Sequence, residues 1–571
     1  MKRPPLYPVY PIETLRDLVR KSVDRYQDRM ALQSKKEGKY QPTTFRQLGE
    51  RVEALATTFF RLDLQKGDRL AILSRNRTEW AITYLAAVSV GLVVVPIDKD
   101  LKPREIRHIL GYSGASLLVS GSDYLDALND SGERIGTLKR IVSMDEERDK
   151  ADLTFSQALE QGYRALGKGA TTYRDASVGG EDLAAIIFTS GTMGSSKAVM
   201  LSHGNLAANI MATSEHVSIS NDDRLLSVLP LHHTYECTCG FLTALYQGAT
   251  IYHAENLRRI PENLRESRAT VMLGVPLLFE SMYRRIEKGI LEKGKRKFRM
   301  AQTVAAICEK LLRVDVRRRL FKPLHETLGG RLRLLISGGA AIDPEVSKGF
   351  RKLGINFIQG YGMTEASPLI AVNREDYLKD GSVGLPLNGI ELRFVEGEIL
   401  VHGRNVMQGY YLNDDATRAS LQDGWLYTGD LGYLTEEGFL YISGRKKSVI
   451  VTPNGKNVYP EEIESVLNQN PYVLESLVWG GPSTDPSKVE VQAIIVPDTD
   501  QFDHEFGAAC WDEAKLREVI GGEVKKSNRQ LANYKRIKKF RLRQAEFEKT
   551  TTRKIKRYLY TGQQQTFAAR G

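Results

Sequence analysis

The sharpest chemistry in the sequence lies at Ala184–Lys197, which reads Ala-Ala-Ile-Ile-Phe-Thr-Ser-Gly-Thr-Met-Gly-Ser-Ser-Lys. An apolar strand there runs into a loop of glycine and hydroxyl residues closed by a lysine. Glycines let backbone N–H groups approach phosphate oxygens, hydroxyls add donors, and the lysine supplies compensating charge. The spacing is not that of a Walker A loop. Gly191 and Gly194 stand too close together, Lys197 lies three residues beyond, and Ala198 follows where Ser or Thr is required.

Five further segments carry reactive or binding chemistry. Leu335-Ile-Ser-Gly-Gly-Ala-Ala341 ends a strand in small residues, against which a flat ring could lie. Ile358-Gln-Gly-Tyr-Gly-Met-Thr-Glu365 brings an aromatic ring, a hydroxyl and a carboxylate to another strand end. Gly424-Trp-Leu-Tyr-Thr-Gly-Asp430 delivers one acid from a hairpin, suited to a ribose diol. Cations cluster at Ser443-Gly-Arg-Lys-Lys447 and again at Lys549-Thr-Thr-Thr-Arg-Lys554.

The elements that must position these residues alternate along the chain. Up to about residue 380, buried strands are expected at Arg69–Leu73, Leu92–Val95, Ala185–Phe188, Val271–Gly274 and Leu332–Ile336. Amphipathic helices such as Phe45–Leu62 and Asn205–Glu215 lie between them, the pattern of parallel α/β sheets. The apolar run Tyr84–Ile97 is too short to span a bilayer and breaks at Gly91, so it reads as a helix followed by a buried strand. From about Val383 short strands separated by turns predict an antiparallel, barrel-like unit. After Gly444-Arg445 a small α+β module begins. The expected fold class is α/β, with residues 1–445 as a large domain of two parallel α/β subdomains plus a small β-barrel. Residues 446–571 form a small, mobile α+β domain.

Composition agrees with a globular chain: 571 residues, 42% hydrophobic, 26% charged and 8% aromatic, which excludes collagen, coiled coil and wholesale disorder. The cysteines Cys237, Cys239, Cys308 and Cys510 show no disulfide framework. The Cys237/Cys239 pair has no second pair at zinc spacing and reads as packing. A reducing cytoplasm fits, and the N-terminus has no signal-peptide core.

The order and spacing of the segments, over about Ile12 to Arg557, resemble the AMP-forming adenylate-forming enzymes: acyl-CoA synthetases, nonribosomal adenylation domains and firefly luciferase. Within that superfamily the chain is most similar to a bacterial long-chain fatty acid–CoA ligase, through a helical insert at about 284–325, Leu229-Pro-Leu-His-His-Thr-Tyr235, and Ser448–Glu464. The loop departs from the usual pattern at Met193, Ser196 and Ala198, and Arg553 stands where a glycine is usual before Lys554.

The resemblance implies roles. Thr189, Ser190, Gly191, Thr192, Gly194 and Lys197 would hold the β- and γ-phosphates of ATP. Gly338, Gly339 and Ala340 would line the adenine slot, with Tyr361 stacked on the ring and Gln359, Gly360, Gly362 and Met363 completing the nucleotide site. Thr364 would contact the α-phosphate, and Glu365, with Thr192, would hold Mg²⁺. Asp430 would accept the ribose hydroxyls beside Arg445. Lys554 would bridge the acid and the α-phosphate, because two anions must be brought together and pentacovalent charge stabilised. A hinge at Lys446 would then present Gly455, Lys456 and Asn457 to CoA. His233, Val275, Pro276 and Gly338 would border the acyl pocket.

The implied activity is ATP-dependent, AMP-forming activation of a fatty acid and its transfer to CoA. Transfer to an acyl carrier protein is the enzymatic alternative. A nucleic-acid-binding protein is the alternative from another class, suggested by the net charge of +11 and a pI near 9.2, but no recognised nucleic-acid motif is present and aromatics are sparse in the basic segments. That charge is local. Residues 284–322 hold 14 Lys+Arg against 4 Asp+Glu and residues 524–557 hold 14 against 2, leaving the remainder near −11. The second island surrounds the expected ATP and CoA chemistry. On the first, Ile307, Leu311, Leu312, Val316 and Leu320 are interleaved with cations, which suits either core packing or a helix resting on an anionic membrane. A cytoplasmic enzyme, with peripheral contact at the inner face of the membrane, is the corresponding expectation.

Overall fold

The computed structural model describes residues 4–561 apart from 130–134, 147–149, 190–196, 452–455, 483–488, 508–510 and 551–554. The chain divides into two compact units, Met1–Leu392 with Val401–Leu426, and Arg393–Leu400 with Tyr427–Gly571.

The first unit holds two largely parallel sheets. One has nine strands in the order Leu385–Pro386, Leu369–Val372, Asn356–Gly362, Leu334–Ser337, Val271–Gly274, Arg224–Ser227, Thr250–His253, Met30–Lys36 and Lys39–Thr44. Its centre is parallel, from Met30–Lys36 across to Asn356–Gly362, and antiparallel strands close both edges. The other has eight strands, with Val93–Ile97 and Arg69–Leu73 near its middle and Leu183–Phe188, Ala198–Ser202 and Gly409–Tyr410 toward one edge. Parallel strands need long crossovers, and helices supply them.

Local sequence explains these elements. Thr44 and Gln47 cap helix Phe45–Arg61 reciprocally, as Ser202 and Asn205 cap helix His203–His216. Helix Thr78–Ser89 is buried along almost its whole length, and the run continues after Gly91 into strand Val93–Ile97. That strand extends past the expected Val95 through Pro96, and the expected Leu332–Ile336 begins later, at Leu334. Phe279, Phe350 and Phe357 pack within 6.5 Å of one another beneath the nine-stranded sheet. At the N-terminal ends of its strands, Arg333 clamps buried Asp223 at 2.8 Å. The C-terminal ends, where α/β sheets bind ligands, carry two of the chemistry-bearing segments, Leu335–Ala341 and Ile358–Glu365.

Short strands form after Val383 as expected, at Ile390–Val395, Glu398–Gly403, Trp425–Leu434 and Leu440–Arg445. The last two pair antiparallel with Asp430 opposite Arg445. In the second unit, strands Val473–Pro482, Val489–Pro497 and Lys539–Leu542 form a sheet, and helices Pro460–Asn468 and Glu513–Gln530 contribute to its core through Ile463, Leu467, Ile520 and Val524.

Candidate active site

In the first unit a line of contacts joins segments far apart in sequence. The Thr189 N–H donates to the Lys197 carbonyl at 2.9 Å. The Lys197 ammonium sits 4.2 Å from the centre of the Tyr410 ring. Tyr410 donates its hydroxyl to Glu365 Oε1 at 2.9 Å, and both side chains are buried. Burial first, and the Glu365 carboxylate second, push the Tyr410 phenol well up, so it keeps its proton and remains a donor. Strand pairing puts the tyrosine there: Tyr410 lies opposite Val199, two residues beyond Lys197.

Glu365 follows Thr364 in a short 3-10 turn, and the Met407 N–H donates to its carbonyl at 2.9 Å. The Thr364 hydroxyl is 3.4 Å from that of Thr234. His233, next to Thr234, is half-buried, with its ring 4.2 Å from that of His232. His232 is buried, with Nε2 3.6 Å from Asp98, just past the end of strand Val93–Ile97.

Tyr235 starts a π-helix, Tyr235–Leu242, and donates its hydroxyl to the Ile336 carbonyl at 2.9 Å. Its ring lies under Gly338, where an added Cβ would come within 2.8 Å of it, so only glycine fits. Gly339 has a left-handed backbone and faces Val275, which precedes Pro276 at the start of helix Pro276–Ile307. Gln359 commits its side-chain amide to the Ser382 carbonyl, and its backbone carbonyl accepts the Asn373 N–H at 2.9 Å. Gly360, Tyr361, Gly362 and Met363 continue the same strand end, and an added Cβ on Gly362 would meet the Pro368 carbonyl at 2.0 Å.

Beside this line lies a small cavity whose walls include Tyr235, Cys239, Leu273, Ile336, Ser337 and Gly360. The acyl-pocket residues expected from the sequence, His233, Val275, Pro276 and Gly338, are not among its lining residues; their near neighbours in sequence are. The Ser337 hydroxyl is buried there without a hydrogen-bond partner among the described residues. Cys237 and Cys239 are packing residues, as expected, and burial pushes the Cys237 thiol up to about 12.

In the second unit, buried Asp430 is bound by Arg445 at 2.9 Å. Lys446 pairs with Glu398 at 2.7 Å, and Glu398 also accepts the Gly429 N–H, so the hinge candidate and the Asp430 strand share one buried carboxylate. Lys456 lies 4.7 Å over the Tyr534 ring, and Asn457 pairs across from Val451. Residues 551–554 are flanked by two anchors: Lys549 bound to Glu475 at 2.7 Å and Arg557 bound to Glu464. Ser190, Gly191, Thr192, Gly194, Gly455, Arg553 and Lys554 lie outside the described residues.

A model of the AMP-binding enzyme family matches residues 19–411. The chain belongs to that family. The AMP-binding region therefore covers the line from Lys197 to Tyr410. The enzyme is 31% identical over 553 residues to the long-chain-fatty-acid–CoA ligase FadD15 of Mycobacterium bovis, covering 91% of this chain and 90% of that one. Among solved structures it resembles the anthranilate CoA ligase AuaEII in complex with anthranoyl-AMP, with a TM-score of 0.77 at 20% identity over 98% and 97% of the two chains. ATP-bound MatB from Rhodopseudomonas palustris matches with a TM-score of 0.73 at 26% identity over 96% and 98%.

The enzyme's described residues hold no cluster of three or more His, Cys, Asp or Glu able to cage a metal. Mg²⁺ does not need one, since it is commonly held by one or two carboxylates with water and substrate phosphates. Glu365, fixed by Tyr410, fits that donor set. Tyr410 and Glu398 carry no local sequence signal for these positions, whereas Thr234 and Tyr235 close the Leu229–Tyr235 motif. Tyr410 meets Glu365 only because strand Gly409–Tyr410 returns to the edge of the eight-stranded sheet.

Proposed function

We propose that the enzyme activates a long-chain fatty acid with ATP to the acyl-adenylate and transfers the acyl group to CoA. The observation that carries this reading is the Lys197–Tyr410–Glu365 line beside a cavity walled mainly by apolar side chains. Cation and carboxylate provide for a nucleotide's phosphates, and the apolar walls of the cavity suit hydrocarbon.

In the first half-reaction a carboxylate oxygen of the acid bonds to the α-phosphorus and the α–β bridging bond breaks, releasing pyrophosphate. The acid is already ionised, so no general base is needed. Bound Mg²⁺ would supply charge neutralisation at the phosphates, with Glu365 and Thr192 as its protein ligands. Lys197 and the Thr189–Gly194 hydroxyls and amides hold the β- and γ-phosphates, and Thr364 orients the α-phosphate. Gly338, Gly339, Ala340 and Tyr361 enclose the adenine, and Asp430 takes the ribose hydroxyls, oriented by Arg445. Lys554 bridges the two reacting anions. In the second half-reaction the thiolate of CoA attacks the acyl carbon and AMP leaves. A C-terminal domain of residues 446–571 turns at Lys446 to bring Gly455, Lys456 and Asn457 to the pantetheine, and His233 borders the acyl entrance.

CoA is favoured over an acyl carrier protein because two of the basic side chains that could dock a carrier are engaged internally. Lys535 is bound to Glu462 at 2.7 Å and Arg536 to the Asn528 carbonyl. The chemistry is placed in the cytoplasm with peripheral contact at the inner face of the membrane, where long-chain acids partition. No helix among the described residues is long and apolar enough to cross a membrane.

The test is AMP release and thioester formation with ATP, Mg²⁺ and acids of short, medium and long chain or aromatic type, with CoA or holo-acyl carrier protein as acceptor. Thioester formation with CoA, rising with chain length, is expected. Exclusive use of aromatic or short acids, or of the carrier protein, overturns the assignment.

A further inference from the structure

The basic insert is a helix whose outward face is apolar. Met300, Val304, Ile307 and Leu311 recur at intervals of four, three and four residues, which places them on one side of a helix with 3.6 residues per turn. They lie on helix Pro276–Ile307 and its π-helical continuation Cys308–Leu312. Their exposures are 67, 43, 51 and 74%, and the adjoining Leu312 and Val314 are 68 and 50% exposed. The opposite side of the same helix faces the protein. Ala305 is buried there, and Phe298 packs on Phe321 with ring centroids 5.2 Å apart. Of the two expectations for Ile307, Leu311, Leu312, Val316 and Leu320, core packing is therefore excluded for all but the half-buried Val316.

Cations border the stripe. Arg296, Arg299, Lys310 and Arg313 are exposed, within a segment carrying a net +10. We propose that this face is a docking surface for an anionic lipid bilayer, with the helix lying in the plane of the interface, its apolar stripe at the acyl boundary and its cations at the headgroups. The proposal rests on the membrane-side placement stated above and identifies the surface responsible. Charge complementarity selects this occupant. A second copy would set +10 against +10, and a nucleic acid would leave the apolar stripe without a partner.

Flotation of the full chain with vesicles of phosphatidylcholine alone, or mixed with phosphatidylglycerol, tests it. Wild type is expected to float with the anionic vesicles and much less with the neutral ones. Two double variants, Ile307→Glu with Leu311→Glu and Lys310→Glu with Arg313→Glu, are each expected to weaken anionic binding by about tenfold or more. Their melting temperatures, and AMP release with a short soluble acid in vesicle-free solution, should match wild type. Variants that float as wild type does overturn the surface while leaving the membrane placement standing, and a wild type that never floats overturns both. A wild-type dimer broken by the variants, without vesicle binding, assigns the face to self-association and overturns the proposal. AMP release is read separately, so failure of the ligase reading is distinguishable from failure of the surface.

Discussion

The Tyr410 hydroxyl donates to Glu365 Oε1 at 2.9 Å while the Lys197 ammonium rests on the face of the same ring. One phenol thus fixes the carboxylate proposed to hold Mg²⁺ and stations the lysine proposed to hold the phosphates of ATP. Tyr410→Phe keeps the ring and removes the donor. A hydrogen bond to a charged group is worth about 1.5–3 kcal/mol, so the Mg²⁺ concentration needed for half-maximal AMP release should rise by roughly tenfold or more. The KM for long-chain acid should stay unchanged. Titration of Mg²⁺ at saturating ATP checks this, and an unchanged Mg²⁺ dependence would reduce Tyr410 to packing.

Lys549 and Arg557 flank residues 551–554 and are held by Glu475 and Glu464. Lys554→Ala should lower acid-dependent pyrophosphate release by about a hundredfold or more and spare thiolysis of supplied acyl-adenylate. Arg553→Ala should leave both half-reactions within a few-fold. Adenylation that survives loss of Lys554 and fails with Arg553 would exchange their roles.

Asp430 is buried and bound by Arg445, which fixes its side chain for the proposed contact with the ribose hydroxyls. Asp430→Ala should raise the KM for ATP by about tenfold to a hundredfold and erase any preference for ATP over its 2′-deoxy form. Competition between the two nucleotides in AMP-release assays measures it.

Cys239 and Tyr235 project from the π-helix onto the apolar cavity. Cys239→Trp should fill it, lowering kcat/KM for long-chain acids by at least about tenfold while a short acid keeps near-normal turnover. An equal loss for all acids would place the cavity outside the acyl path.

Glu236, adjacent in the same helix, is fully buried, and its Oε2 has no hydrogen-bond partner among the described residues. Burial pushes its carboxyl up to about 8 from an ordinary 4.5. The folded protein retains a proton that the unfolded chain loses above pH 4.5, so stability is fully present below that pH. It declines as pH rises to about 8 and levels off beyond. The melting temperature should fall by several degrees between pH 5 and pH 8, and Glu236→Gln should flatten that slope. Parallel pH profiles of wild type and variant would refute the assignment.

Sequence alone determined what depends on neighbours along the chain. Glycine, hydroxyl and lysine chemistry at 184–197 marked a phosphate loop without reference to any fold. Apolar runs between turn residues located strands such as Arg69–Leu73 and Val271–Gly274 to the residue, because a buried parallel strand is apolar along its whole length. Charge counting separated the two basic islands. Tertiary structure decided what depends on partners distant in sequence. Tyr410 reaches Glu365 only through pairing with strand Ala198–Ser202, and Gly338 is required only because Tyr235 packs beneath it. The insert's leucines were ambiguous for the same reason. Their interleaving with cations suited a helix face, but whether anything covers that face is a property of packing, and the structure leaves it open to solvent.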